Sequence, residues 1–132
     1  MTSKLKFRCW GKTRLEEAFS GELDFGLLDS RGFGPLHWCV SRGERDFFQK
    51  VLTFDVEIDQ RSKYTKSTPL HFAADVEDPL FTESLIAAGA DINAADWHRQ
   101  TPLHIAAENG YIIHTSLLVE ARAALKEFDH RK

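Results

Sequence analysis

The residues with the most chemical potential in this chain are three histidines, His37, His71 and His104, spaced 34 and 33 residues apart, and Cys39, two positions after the first. A cysteine beside a histidine is how a thiolate nucleophile is made, and several imidazoles can hold a metal ion. The spacing supports neither chemistry. Thr68-Pro69-Leu70-His71-Phe72-Ala73-Ala74 recurs as Thr101-Pro102-Leu103-His104-Ile105-Ala106-Ala107, and Gly34-Pro35-Leu36-His37-Trp38-Cys39-Val40 is a weaker copy. Stacked repeats set equivalent residues in a row about one helix diameter, ~10 Å, apart, too far for joint ligation through bonds of about 2 Å. Cys39 and His37 fall in a helix that the repeat needs for packing, and no acid or oxyanion-forming loop accompanies them. Asp75, Glu77 and Asp78 are close enough for acid–base work, but Asp78 precedes Pro79 and reads as a helix cap, in an acidic first turn that the helix dipole favours. Gly32-Phe33-Gly34 runs into Pro35 with no third glycine where a dinucleotide loop needs one. No catalytic residue, metal ligand or cofactor is expected.

The repeated phrase is instead a device for starting helices. Thr68 and Thr101 are good N-caps, and Pro69, Pro102 and Pro35 suit the first helical position, where no donor is needed. The alanine pairs let helices of adjacent units approach closely at little entropic cost. Gly43 and Gly110 supply tight turns, and Asp78-Pro79 opens another helix. Val51-Leu52, Leu85-Ile86 and Leu118-Val119 return in phase and mark a second helix in each unit. Each unit reads helix, turn, helix, extended hairpin. Three copies at one period mean a stacked array.

The Thr-Pro-Leu-His-x-Ala-Ala phrase, with Gly89-Ala90-Asp91-Ile92-Asn93-Ala94-Ala95-Asp96 before its last copy, resembles the ankyrin-repeat family over about Leu15 to Glu120. The expected fold is an all-α solenoid of helix-turn-helix repeats with short β-hairpin loops. Its expected parts are a capping half-repeat over 12–28, repeats over 29–58 and 59–95, and a third over 96–132 whose last helix continues to about Phe128. Leu118, Ala121, Leu125 and Phe128 carry that extension on one helical face. The resemblance implies that His71 and His104 tie neighbouring hairpins to the local threonine hydroxyl. It also raises hydroxylation at Asn93, which reads more simply as a buried turn asparagine. Gly34 replaces the capping threonine, so His37 should lose an oxygen partner and the first unit should be the loosest. One residue is added in the fingertip Arg61 to Ser67. Phe47, Phe72, Phe81 and Phe128 are expected in the core, and His114, in the position held by Phe47 and Phe81, is expected to be half exposed.

The chain has 132 residues, 42% apolar and 28% charged, which suits a soluble array and leaves no room for separate cofactor and substrate domains. Cys9 and Cys39 read as free thiols of a reducing compartment, no signal-peptide core follows the basic N-terminus, and no apolar run approaches the ~20 residues of a membrane span. Cytoplasmic residence is expected. A net charge of −3 argues against nucleic acid. That total hides an acidic middle between basic ends, since Ser67 to His98 contains six acids and neither lysine nor arginine.

Function is then expected on the concave side, built from hairpin tips and the exposed ends of first helices. The contact positions that the resemblance implies are Arg31, Phe33, Ser41 and Arg42 in the first unit, and Asp75 and Val76 in the second. The third supplies Trp97, His98, Gln100, Glu108 and Asn109. Arg99 stands where the family often has glycine, and the irregular hairpin adds Lys63, Tyr64 and Lys66. Trp97 and Tyr64 are large rings in polar hairpin tips, the kind of residue that anchors an interface. The expectation is a noncatalytic adaptor, inhibitor or immunity-type protein that binds one protein partner and is a monomer or weakly self-associating. An enzyme or metal protein, and nucleic-acid binding through Lys63, Lys66, Arg99 and Arg42, are the lesser readings.

Overall fold

The computed structural model describes residues 9–129, with side chains through Arg122. Its helices are α1 (Lys12–Phe19), α2 (Pro35–Arg42), α3 (Arg45–Leu52), α4 (Pro69–Ala74), α5 (Pro79–Ala87), α6 (Pro102–Asn109) and α7 (Ile112–Asp129). α2, α4 and α6 stack in one row and α3, α5 and α7 in a second, while α1 packs on α3. The fold is an all-α repeat solenoid. Among the described residues no β-strand forms, so the loops expected as β-hairpins are tight turns without a ladder.

The capping grammar operates at each Thr-Pro. Thr68 Oγ1 accepts from the His71 amide and Thr101 Oγ1 from the His104 amide, while each imidazole Nδ1 accepts from its threonine's amide at 3.0 Å. Asp78 caps α5 by accepting from Leu80 N–H. Its carboxylate also takes both ends of the Arg45 guanidinium at 2.8 and 3.0 Å, which links α3 to α5 and holds the carboxyl below its usual range. Gly43 and Gly110 end α2 and α6 in the left-handed conformation at φ 69° and 73°.

The core runs the length of the array. Leu36, Leu70, Ala73, Ala74 and Ala106 of the first helices and Phe48, Val51, Phe81, Leu85 and Leu118 of the second helices are buried in one continuous cluster. Phe48, not Phe47, is the buried phenylalanine of α3, edge-on to Phe81 at 4.8 Å. Phe47 and Phe72 are half-buried. His114 follows Phe48 and Phe81 at the same 33-residue interval. It is buried, not half exposed, because Thr82 Oγ1 at 2.7 Å and the Glu77 carbonyl at 3.1 Å satisfy its two nitrogens.

The first unit keeps its joint to the second although it lacks the threonine. His37 keeps two partners without a threonine: Nδ1 accepts from Gly34 N–H at 3.1 Å, and Nε2 donates to the Ser67 carbonyl at 2.8 Å. Every residue of α2 from Leu36 to Val40 is buried. The space that a Cβ at Gly34 would take is filled by the Gln60 carboxamide, which reaches across to the Gly26 carbonyl and would have to move aside for any larger residue. In front of this unit, Trp10 is fully buried and donates its amide to Asp29 and its indole N–H to the Leu27 carbonyl. Phe19, Phe25 and Phe54 close the same end with ring centroids 5.2 to 6.0 Å apart. At the other end α7 is helical through Asp129, with no hairpin at residues 122–129. Ala121 is half-buried against the core, and the Leu125 and Phe128 side chains lie outside the described residues.

Candidate functional site

Two surfaces are built on this scaffold, a groove along the first helices and a row of three fingertips beside it. The geometry of the fingertips follows directly from their sequence. In the first, Asp29 Oδ1 accepts from the amides of Arg31 and Phe33, and the Asp29 amide donates to the Phe33 carbonyl. In the third, Asp96 Oδ1 accepts from His98 and Gln100, and the Asp96 amide donates to the Gln100 carbonyl. These are five-residue turns folded around one carboxylate. The second runs from Ser62 to Ser67, one residue longer, with Ser62 Oγ in the carboxylate's place accepting from Ser67 N–H. This is where the added residue is accommodated.

The fingers are tied to one another. Lys63 N–H donates to the Gly32 carbonyl and Trp97 N–H to the Thr65 carbonyl, both at 2.9 Å. Arg61 reaches the Lys66 carbonyl at 2.8 Å and the Ala95 carbonyl at 2.6 Å, clasping the second finger to the third. His37 and His71 extend the tie inward through Nε2, to the carbonyls of Ser67 and Gln100 respectively, each at 2.8 Å. Burial lowers both imidazoles, His37 to about 4, so each is held neutral with its proton on Nε2. His104 makes only the local half of this arrangement. It contacts Thr101 and is exposed, because no finger follows it among the described residues.

The groove has a volume of about 470 Å3 and draws together Ser41, Asp75, Val76, Gln100, Glu108 and Asn109 from the expected contact positions. Its floor includes Ser67, Phe72 and Ile105, which those positions did not name. Phe72 and Ile105 occupy the variable place of the Leu-His-x-Ala phrase, a signal that could have found them. Asn109 Nδ2 donates to Asp75 Oδ1 at 3.0 Å and joins the ends of α4 and α6. Ser41 and Arg42 are exposed at the end of α2.

The other positions lie on the fingers and outside the groove lining. Phe33 is half-buried, edge-on to Phe72 at 5.1 Å, with the Arg31 guanidinium 4.9 Å above its ring. Both residues therefore serve internal packing at least in part. Tyr64 and Trp97 are 57% and 66% exposed, which leaves most of each ring available. Lys63, Lys66, His98 and Arg99 are exposed beside them. Asn93 is also exposed, not buried.

The chemistry weighed for Cys39 fails on access as well as spacing. The thiol is buried, and burial with the nearby Glu44 charge pushes its pKa up, away from the thiolate. Among the described residues no three His, Cys, Asp or Glu side chains converge on a point that could hold a metal ion. None of the described helices is long and apolar enough to cross a membrane.

A family description of ankyrin repeats, in three copies, matches residues 36–129, from the second residue of α2 through α7. With the capping boxes, the two stacked helical rows and the linked fingertips, that match covers most of the chain, and the chain belongs to the ankyrin-repeat family.

Proposed function

We propose that this chain is a small noncatalytic adaptor, or an inhibitor or immunity-type protein, that occludes one protein partner, in keeping with the general use of ankyrin repeats as protein–protein interaction modules. Recognition takes place on the fingertips and the adjoining groove. The observation that carries this reading is the exposure of Tyr64 and Trp97 on adjacent, mutually bonded fingers beside a groove of about 470 Å3. Large aromatic rings held on a rigid backbone lose little entropy on binding, which suits them as anchors. We further divide the chain into a capping half-repeat over 12–28 and repeats over 29–58, 59–95 and 96–132, acting as a monomer or weakly self-associating. A reducing, cytoplasmic setting fits the unpaired, buried Cys39.

The test begins with a partner recovered using the full chain as bait and then purified. Tyr64→Ala with Trp97→Ala should weaken its binding by about 2 kcal/mol or more, the cost of truncating two interface anchors. Helical circular dichroism should be unchanged, because neither ring lies in the core. Unaltered affinity would remove this face from the interface.

A further inference from the structure

The second and third fingertips carry the same short pattern, an exposed aromatic followed two residues later by an exposed cation: Tyr64-Thr65-Lys66 and Trp97-His98-Arg99. Lys66 and Arg99 are also the two non-glycine residues described with positive φ, at 58° and 65°. The first finger has Gly32 at this place, with φ 80°. A side chain in the left-handed region is strained where glycine is not. Two fingers therefore hold a basic residue at the one position where the turn favours none. Strain of this kind persists where the residue has a use.

Turn construction does not explain the cations. The finger carboxylates, Asp29 and Asp96, are occupied by amides of their own turns, and Ser62 replaces the carboxylate in the second finger. Among the described residues neither Lys66 nor Arg99 enters an ion pair. Lys63 adds a third exposed cation to the row, its ammonium 5.4 Å from the Tyr64 ring. Arg61 is spent on the carbonyls of Lys66 and Ala95, which fixes the two fingers relative to each other. The result is a rigid, duplicated ladder of aromatic and positive groups on a chain whose total charge is negative.

We infer that this ladder recognises an extended acidic segment of the partner protein, with carboxylates about three residues apart. The inference rests on the protein-binding reading above and deepens it. Neighbouring units stack about one helix diameter, ~10 Å, apart, and an extended peptide in the polyproline II conformation rises about 3.1 Å per residue with three residues per turn, so every third side chain points the same way and meets a new finger. Arg99 and Lys66 pair with successive carboxylates, and the backbone between them lies over Tyr64 and Trp97. A continuous polyanion such as single-stranded nucleic acid fits less well, because Asp75 and Glu108 line the groove beside the ladder. A segment of separated acids avoids them.

Glycine substitution separates recognition from folding, because Lys66→Gly with Arg99→Gly removes the charges and relieves the backbone together. Trp97 is the exposed one of the three tryptophans, Trp10 and Trp38 being buried, so its fluorescence reports occupancy of the fingertips. The probes are a twelve-residue peptide with glutamate at every third position among glycine and serine, its glutamine counterpart, an isomer with the same glutamates clustered, and an oligothymidylate. The wild-type chain should prefer the spaced glutamate peptide to both other peptides by about tenfold, the worth of roughly one charge-assisted contact. The double glycine variant should lose that preference while its melting temperature is unchanged or raised. Equal binding of the glutamate and glutamine peptides, unchanged binding by the variant, or tighter binding of the oligothymidylate would each overturn the inference. If the purified partner binds the double glycine variant normally yet loses affinity on Tyr64→Ala with Trp97→Ala, the acidic-segment inference fails and the interaction face stands.

Discussion

His37 makes acid sensitivity a direct consequence of how the first two units are joined. Its Nδ1 accepts from Gly34 N–H and its Nε2 donates to the Ser67 carbonyl, so a second ring proton on Nδ1 would face a donor in a site without water access. Burial is the main cause of its fall from 6.5 to about 4, against the raising effects of the Ser67 bond and Asp29. In the unfolded chain the imidazole protonates near 6.5, and in the folded chain only near 4. The unfolded state therefore binds more protons as pH falls. Stability is complete above about 6.5 and declines through the window down to about 4. At about 1.4 kcal/mol per pH unit, the loss approaches about 3 kcal/mol at the acid limit and about 2 kcal/mol by pH 5. His71, lowered for the same reason, adds a loss of the same sign. Urea unfolding followed by helical circular dichroism at pH 7.5 and 5.0, for the wild type and His37→Gln, isolates the His37 share. Wild type should be the more stable at pH 7.5, and its advantage should shrink by about 2 kcal/mol at pH 5.0, since glutamine does not titrate. An advantage equal at both pH values would show that His37 is not buried and neutral, and would refute the reasoning.

Other substitutions probe the remaining joints. A threonine at Gly34, which the repeat pattern alone would recommend, displaces the Gln60 carboxamide from its bond to the Gly26 carbonyl and should destabilise by about 1 kcal/mol. Gln60→Ala should relieve most of that penalty in a double-mutant cycle read by urea unfolding. Thr68→Ala should cost about 1–2 kcal/mol as a buried cap, and Thr101→Ala less, because its box with His104 is more exposed. His114→Phe would restore the Phe48–Phe81 series but strand the buried Thr82 hydroxyl, at about 1–3 kcal/mol. Adding Thr82→Val should return much of it, and thermal melts of the single and double variants check this.

The period and the capping phrase made the architecture legible, because Thr-Pro and the alanine pair act within one turn of the chain. What sequence missed depends on contacts between units. Gly34 reads as a lost cap until Gln60, 26 positions later, fills the space beside it. His114 reads as half exposed until Thr82 and the Glu77 carbonyl receive it. Phe47 and Phe48 are both apolar and adjacent, so periodicity could not choose between them without the neighbouring helix. At the site, the exposure of Trp97 and Tyr64 was legible from polar surroundings alone. Phe33 was not, because its shelter is Phe72 of the next unit. The left-handed geometry of Lys66 and Arg99 was half visible in the substitution of a glycine position at Arg99. At Lys66 the longer finger obscured the register.

The recognition face is tested most directly by hydrogen–deuterium exchange on the full chain with and without its purified partner. The account predicts added protection at the fingertips, residues 62–67 and 96–100, and at the ends of α4 and α6 beside the groove. Protection confined to the outer row of α3, α5 and α7, with the fingertips exchanging as in the free chain, would contradict it.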